Sequence, residues 1–387
     1  MNELNYCRNA AKSNFAGQCH HFVSAQCNLG QFAEAIAELQ LVSRLGQEKE
    51  MRTLRLYIAV EDLEQAASVR SMLAARMSGV TNRTEVVVHP PMASQIHICA
   101  WLVGTADGEA AIYEGSQQPS ERLSWHYSAI SSYNVIDSEV ATVFSQQFTD
   151  QVDRSRDISH QIGHLLRTWI YIGDITRGPH EATRYQLVNA ARKAVFQEYR
   201  VGIEQRVAKF PASTGIGTPG EALHLGYLSC KIESPDLRVV SLENRQQNSA
   251  FHYPQQESHI APLFSRAIAI LGAAEAMIFI SGTASILGSK STNLGDVREQ
   301  TRQTIANIST LLCARLLSDY DCYPPNTGLQ TIESYTVYVK FRTDFEIVKE
   351  VCDSILPRHA VATYVEADVC RSELLVEIEA IAVMAEC

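Results

Sequence analysis

The sequence predicts an α+β protein in which two α/β halves, each a mixed sheet packed against helices, follow one another in one chain. Three observations carry that expectation. Short runs alternating apolar and polar residues, the pattern of a half-buried strand, are interleaved with runs spaced at three and four, the pattern of an amphipathic helix. One order of elements, long helix, strand, helix, two strands, occurs twice. At 387 residues the chain is long for a single small core, and two domains are the natural division.

Composition narrows the class. A formal charge of −10 argues against a nucleic-acid surface, which needs a basic footprint, but leaves room for a local arginine pocket. No run reaches the roughly 18 apolar residues of a membrane span, and the start, MNELNYCRNAAKSNF, lacks the apolar core of a secretory signal. The ten cysteines include no CxxC pair, so reduced thiols in the cytoplasm are expected rather than disulfides.

The elements follow in order. GQFAEAIAELQLVSRLGQEKE, with Phe32, Ile36, Leu39 and Val42 on one face, reads as a helix within an N-terminal extension over residues 1–50. RTLRLYIAV (52–60) alternates like a strand. DLEQAASVRSMLAARM follows as a helix with Asp62 as its cap. SQIHICAWLVG and EAAIYEG read as strands, PPMAS and GSQQPS as loops, and WHY (125–127) as local packing in a satellite cluster.

The repeat then begins. A polar helix over about 137–165 leads to the strand RTWIYIGDI, the helix TRYQLVNAARKAVFQEYR, and the strand–turn–strand FPASTGIGTPGEALHLGYLSCKI. Near the end, DVREQTRQTIANISTLLCARLL leads to ESYTVYVKF, TDFEIVKEVCDSIL, and AVATYVEADVCRSELLVEIEAIAV. The parallel of TWIYIGD with TVYVKFRTD, each before a helix, favours duplication. The expected segments are therefore an extension at 1–50, one domain at 51–240 and a second at 241–387.

Several residues stand out chemically. Glu377 interrupts the apolar run LLVEIEAIAV and shares one strand face with Glu379. Such alternation alone is the ordinary mark of a strand with one wet face. If that face lines a cleft instead, Glu377 becomes a desolvated acid. Cys370 alone reads as a buried apolar thiol. Gly282, inside a strand-like run, allows close approach to the backbone. GIGTPG (215–220) lacks the strand–GxGxxG–helix context of a phosphate loop and reads as a turn. CHHFVSAQC (19–27) fits no standard zinc spacing, and no metal site is expected.

Eight segments in order carry a resemblance: RTWIYIGDI (167–175), RYQLVNAAR (184–192), PASTGIGT (211–218), NRQQNSAFHYP (244–254), PLFSRA (262–267), SGTASILG (281–288), GDVREQTRQTIANI (295–308) and ADVCRSELLVEIEA (367–380). These resemble the RidA (YjgF) fold, and more closely the chorismatase family, in which RidA-like (chorismate-mutase-like) halves share one polypeptide. The chain departs from the family pattern at Ile170, at Ser289 and after the Tyr253–Pro254 pair.

The resemblance implies cleavage of chorismate with release of pyruvate. Within it, glycine in SGTAS (Gly282) and cysteine seven residues before the glutamate (Cys370 before Glu377) mark the branch that makes 3-hydroxybenzoate. Glu377 becomes the acid that protonates the enolpyruvyl methylene, and Cys370 sits against the ring. Bidentate guanidinium groups suit the two substrate carboxylates. Arg184 and Arg245 are first choices, with Arg371, Arg192 and Arg266 after them. Tyr253 is a candidate hydrogen-bonding partner, and Thr214 and Gly215 a backbone edge of the cleft. The overall step needs no metal, nucleotide or redox cofactor. The partner implied is a small molecule, with neither nucleic acid nor membrane, in a monomer or pseudo-trimeric assembly serving secondary metabolism. Three alternatives stay open: the hydrolytic branch giving a dihydrodiol, a RidA-like imine deaminase using Arg371, and a non-catalytic small-molecule binder.

Overall fold

In a computed structural model of the protein the described residues are 6–45, 51–76, 78–105, 112, 123–156, 164–179, 182–201, 210–256 and 258–385. Within the first of three units, β1 (Cys7–Phe15) and β2 (Gln18–Cys27) form a hairpin closed by Ala16 and Gly17, both at positive φ (52° and 76°). That is the turn geometry whose twist matches a tight antiparallel pair. Then come α1 (Phe32–Leu45), β3 (Arg52–Val60), α2 (Leu63–Arg76), β4 (Thr84–Val88) and β5 (Ile96–Thr105), in the strand order β1-β2-β5-β3-β4.

The second unit runs β6 (Leu123–Ser132), α3 (Val140–Ser155), β7 (His164–Gly173), α4 (Arg184–Glu198), β8 (Ala212–Thr218) and β9 (Leu223–Ile232), ordered β6-β9-β7-β8. The third runs β10 (Arg238–Leu242), β11 (Ala267–Leu271), β12 (Ala276–Thr283), the short hairpin β13 (Ile286–Leu287) and β14 (Lys290–Ser291), then α5 (Val297–Leu311), α6 (Ala314–Ser318), β15 (Ile332–Val339), α7 (Phe345–Ile355), β16 (Val361–Glu366) and β17 (Val376–Met384). Its order is β10-β11-β12-β17-β15-β16.

All three share one plan. A strand–helix–strand crossover makes a parallel pair (β3/β4, β7/β8, β15/β16), and the closing strand inserts antiparallel beside it. A parallel pair needs such a crossover because no tight turn can join its ends. The two repeats read from the sequence are the second and third units, and a first copy precedes them. Residues 7–45, expected as part of an extension, supply β1, β2 and α1, and β2 pairs with β5 along its whole length. The sheets thus divide the chain differently from the segments expected at 1–50, 51–240 and 241–387. The long helix is α3, shorter than expected, and the rest of that expectation falls partly on residues 157–163, outside the described ones. The strand expected at 109–115 and the loop GSQQPS also lie outside them, Ile112 excepted.

Each sheet packs its helices on one face, around Ile36 and Val69, around Phe148 and Val195, and around Ile308 and Val348. The opposite faces of all three sheets meet in one shared core holding Trp101, Trp125, Trp169, Phe279 and Ile381. WHY therefore belongs to the centre of the molecule rather than to a satellite: Trp125 is fully buried against Trp101 and Phe279.

Candidate active site

Where the second and third units meet, a cleft of about 410 Å³ opens. The edge strand β8 forms one wall. It joins the third unit through an Ile216–Val369 bridge, the Gly217 N–H to the Asp368 carbonyl (2.8 Å), and the Ser213 N–H to Ser281 Oγ (2.9 Å). The first turn of α4, the end of β12, the loop before β17 and the residues after β10 close the rest.

The alternation of β17 is resolved at this junction. Its even residues, Val376, Ile378 and Ala380, pack on α5 and α7, while Ile381 and Val383 enter the central core. Glu377 and Glu379 lie on that inner face and are each 5% exposed, so the wet-face reading does not hold. The two carboxyls have opposite surroundings. Glu379 accepts from Arg167 Nη2 (2.8 Å) and from the Trp169 indole N–H (2.9 Å). Burial works against its charge, but Arg167, Arg55 and these hydrogen bonds more than offset it and hold the carboxyl below the usual range. Glu377 lines the cleft. Burial pushes its carboxyl up to about 8, the neighbouring Glu379 adds to the rise, and Arg266 and Arg167 oppose it. Two carboxyls driven apart in this way divide into a structural anion and a neutral acid.

Gly282 fits beside Glu377 because it lacks a Cβ: one built there would lie 1.9 Å from Glu377 Oε1 and 3.3 Å from Thr214 Cγ2. Its N–H donates to Thr214 Oγ1 (3.1 Å), which also accepts from Arg167 Nη2 (2.8 Å). Thr214 is thus a buried strut behind the cleft, while Gly215 lines it against Tyr185. Cys370 also lines the cleft, half-buried. Burial, and after it the Glu377 carboxyl, pushes its thiol up to about 12, so it is a neutral thiol at physiological pH.

The arginines divide sharply. Arg266, Arg371 and Arg192 line the cleft. Arg266 donates to Tyr253 Oη (2.6 Å) and to the Asn248 carbonyl (2.9 Å), and its Nε is buried without a partner. Arg371 donates to the Ser289 carbonyl (3.0 Å) and lies over the Tyr253 ring (5.4 Å). Arg192 donates to Ser213 Oγ (3.2 Å) and Asn189 Oδ1 (2.6 Å). The first choices fall elsewhere. Arg184 is fully buried, but it is tied to Asp137 (2.7 Å) and the Val135 carbonyl (2.9 Å), outside the cleft lining. Arg245 lies on the surface, paired with Asp319 (2.6 Å).

Reasoning from sequence missed Tyr185, Ser213 and Glu373 in the cleft and Arg167 behind it. Helical spacing held the signal for the first. Tyr185, Asn189 and Arg192 stand at i, i+4 and i+7, one face of α4, from which Arg184 is excluded.

The third unit, over residues 257–384, matches the family model described as Endoribonuclease L-PSP, which gives the class of fold. Residues 120–229 match the model described as Chorismatase FkbO/Hyg5-like, N-terminal. Residues 120–229 and 257–384 are thus the two segments that the chain shares with the chorismatase and L-PSP models. It is 33% identical over 222 residues to a 3-hydroxybenzoate synthase of Streptomyces hygroscopicus, which covers 56% of this chain and 63% of that protein. It is 29% identical over 226 residues to a chorismatase of Streptomyces rapamycinicus, again 56% and 63%. The matched stretch thus spans less than two thirds of the length of these curated relatives. A crystal structure of chorismatase superposes with a TM-score of 0.66 at 21% identity, covering 87% of this chain and 94% of that one, a likeness of fold.

Proposed function

We propose that the protein converts chorismate to 3-hydroxybenzoate and pyruvate. The observation that carries this reading is a carboxyl held neutral near pH 7, Glu377, in a cleft flanked by Arg192, Arg266 and Arg371. Chorismate is a dianion, and guanidinium groups on several sides of the cleft suit its two carboxylates.

Glu377 gives its proton to the terminal methylene of the enolpyruvyl group, and the ether becomes oxocarbenium-like. The ring 4-hydroxyl displaces the ether oxygen at C3, its proton returns to Glu377, and pyruvate leaves. The resulting 3,4-arene oxide opens at C4 and loses the C3 proton to give 3-hydroxybenzoate. Substrate and products balance without water or cofactor. The neutral Cys370 thiol lines the cleft as a non-basic wall, which suits keeping water from the oxocarbenium carbon. The described cysteines are free thiols, which fits the cytoplasmic location proposed with this reading.

Incubation with chorismate, followed by coupled detection of pyruvate and chromatography of the aromatic fraction, tests the proposal. Pyruvate with a dihydrodiol would move the protein to the hydrolytic branch, and no pyruvate at all would overturn the reading.

A further inference from the structure

The register of the three sheets places three residues at one position of the fold. Glu377, His97 and His224 are each the second residue of a closing strand, one pair in from its start: Glu377 opposite Tyr338, His97 opposite Ala59, His224 opposite Tyr171. The junctions repeat as well. Ile216 of β8 bridges to Val369, and at the first–third junction Val365 of β16 bridges to Pro91. Counting from these bridges, Ser213 and Gly215 of the Glu377 cleft correspond to Ala362 and Tyr364. Even the strut is copied. Thr214 stands against Glu379, and its counterpart Thr363 lies 2.6 Å from the sulfur of Cys99, which holds the place of Glu379.

A second cleft, of about 370 Å³, occupies this equivalent position, and Ala362, Tyr364 and His97 line it. At the remaining junction His224 is hydrogen-bonded to Ser131 (2.8 Å) and packs against Tyr133 and Tyr171.

We propose that the His97 cleft is a second binding site, for a small aromatic carboxylate. Its volume falls within the range of small-molecule sites, about 300–1,000 Å³. His97 is 3% exposed, and its Nε2 is buried with no hydrogen-bond partner, a polar atom that a ligand in the cleft satisfies. Tyr335, Phe345 and Tyr364 form an aromatic wall, with Phe345 and Tyr364 edge to face at 5.6 Å. At the rim, Lys349 is already paired with Asp353, which leaves the exposed Arg358 to hold an anion. Burial pushes the His97 ring down to about 4, so it is neutral near pH 7. No carboxylic acid stands where Glu377 stands in the other cleft, so this site binds and does not turn over. The proposal is independent of the reaction assigned to Glu377.

Calorimetric titration of the full chain with 3-hydroxybenzoate, alongside crystals soaked in the same compound, tests it. The ring is expected against Tyr364 with an oxygen within hydrogen-bond reach of His97 Nε2. Ala362→Trp, which fills the cleft, is expected to abolish this binding event. Arg358→Glu, an exposed change that leaves the fold alone, is expected to weaken it at least about tenfold, worth about 1.4 kcal/mol, while binding of the neutral 3-hydroxybenzamide is unchanged. Ligand found only beside Glu377, or binding indifferent to both substitutions, would overturn the proposal.

Discussion

The Glu377 carboxyl fills the space that Gly282 leaves by lacking a Cβ: a single methyl on Gly282 would overlap the carboxyl oxygen at 1.9 Å. The overlapping atom is the end of a flexible side chain, so Gly282→Ala is expected to fold and to turn the carboxyl. Turnover is then expected to fall about 10- to 100-fold, the size of effect that a displaced catalytic group produces. Product chromatography and a crystal structure of the variant check both halves.

Glu377→Gln removes the proton donor and keeps the shape. The rate is expected to drop by about 10²- to 10⁴-fold, the range of a general acid. In the native protein the acid form is the active one, so activity is expected to fall as pH rises through about 8. Stability follows the same sign. The folded carboxyl sits above its unfolded value of 4.5, so its contribution is complete below 4.5 and is lost as pH rises toward about 8. Denaturant unfolding between pH 5 and 9 is expected to lose that slope in Glu377→Gln.

The half-buried Cys370 thiol, pushed up to about 12, is expected to alkylate slowly with iodoacetamide at pH 8, at well under the rate of a free thiol. Cys370→Ala is expected to raise the share of dihydrodiol in the product. A product mixture unchanged by that variant would remove Cys370 from the partition between branches.

Arg167 donates to Glu379, Thr214 and the Ile280 carbonyl from a fully buried position. Arg167→Met removes the guanidinium paired with Glu379, leaves this interior anion to the Trp169 indole and Arg55, and is expected to cost about 3–5 kcal/mol in urea unfolding. The double variant Arg167→Met, Glu379→Gln is expected to recover part of that loss.

The arginine placement predicts a contrast in kinetics. Arg266→Ala and Arg192→Ala, in the cleft, are expected to raise KM for chorismate at least about tenfold. Arg245→Ala, on the surface with Asp319, is expected to change KM by less than about twofold, as distant surface changes do.

Some misreadings have identifiable physical causes. The strand QCHHFVSAQC carries the polar residues Gln18 and His20 on what becomes an inward face, which hides its alternation. Those residues are buried because tryptophans satisfy them: Trp125 Nε1 donates to Gln18 (2.6 Å) and Trp101 Nε1 to His20 (3.2 Å). The first partner comes from another unit, so no window of local sequence could contain it. Arg184 and Arg192 stand in one short motif, and only the face of α4 turned toward β8 decides between them.

The chain's own periodicities determined the element order of the last two units, the helix faces, and the parity that puts Glu377 and Glu379 on one side of their strand. What that side meets was decided in three dimensions. Strand alternation fixes which residues share a face, but whether the face is wet or dry depends on what packs against it. Here three sheets close on a common core. That closure dries both carboxyls, gives Arg167 to one of them, and leaves the other neutral in the lining of a cleft.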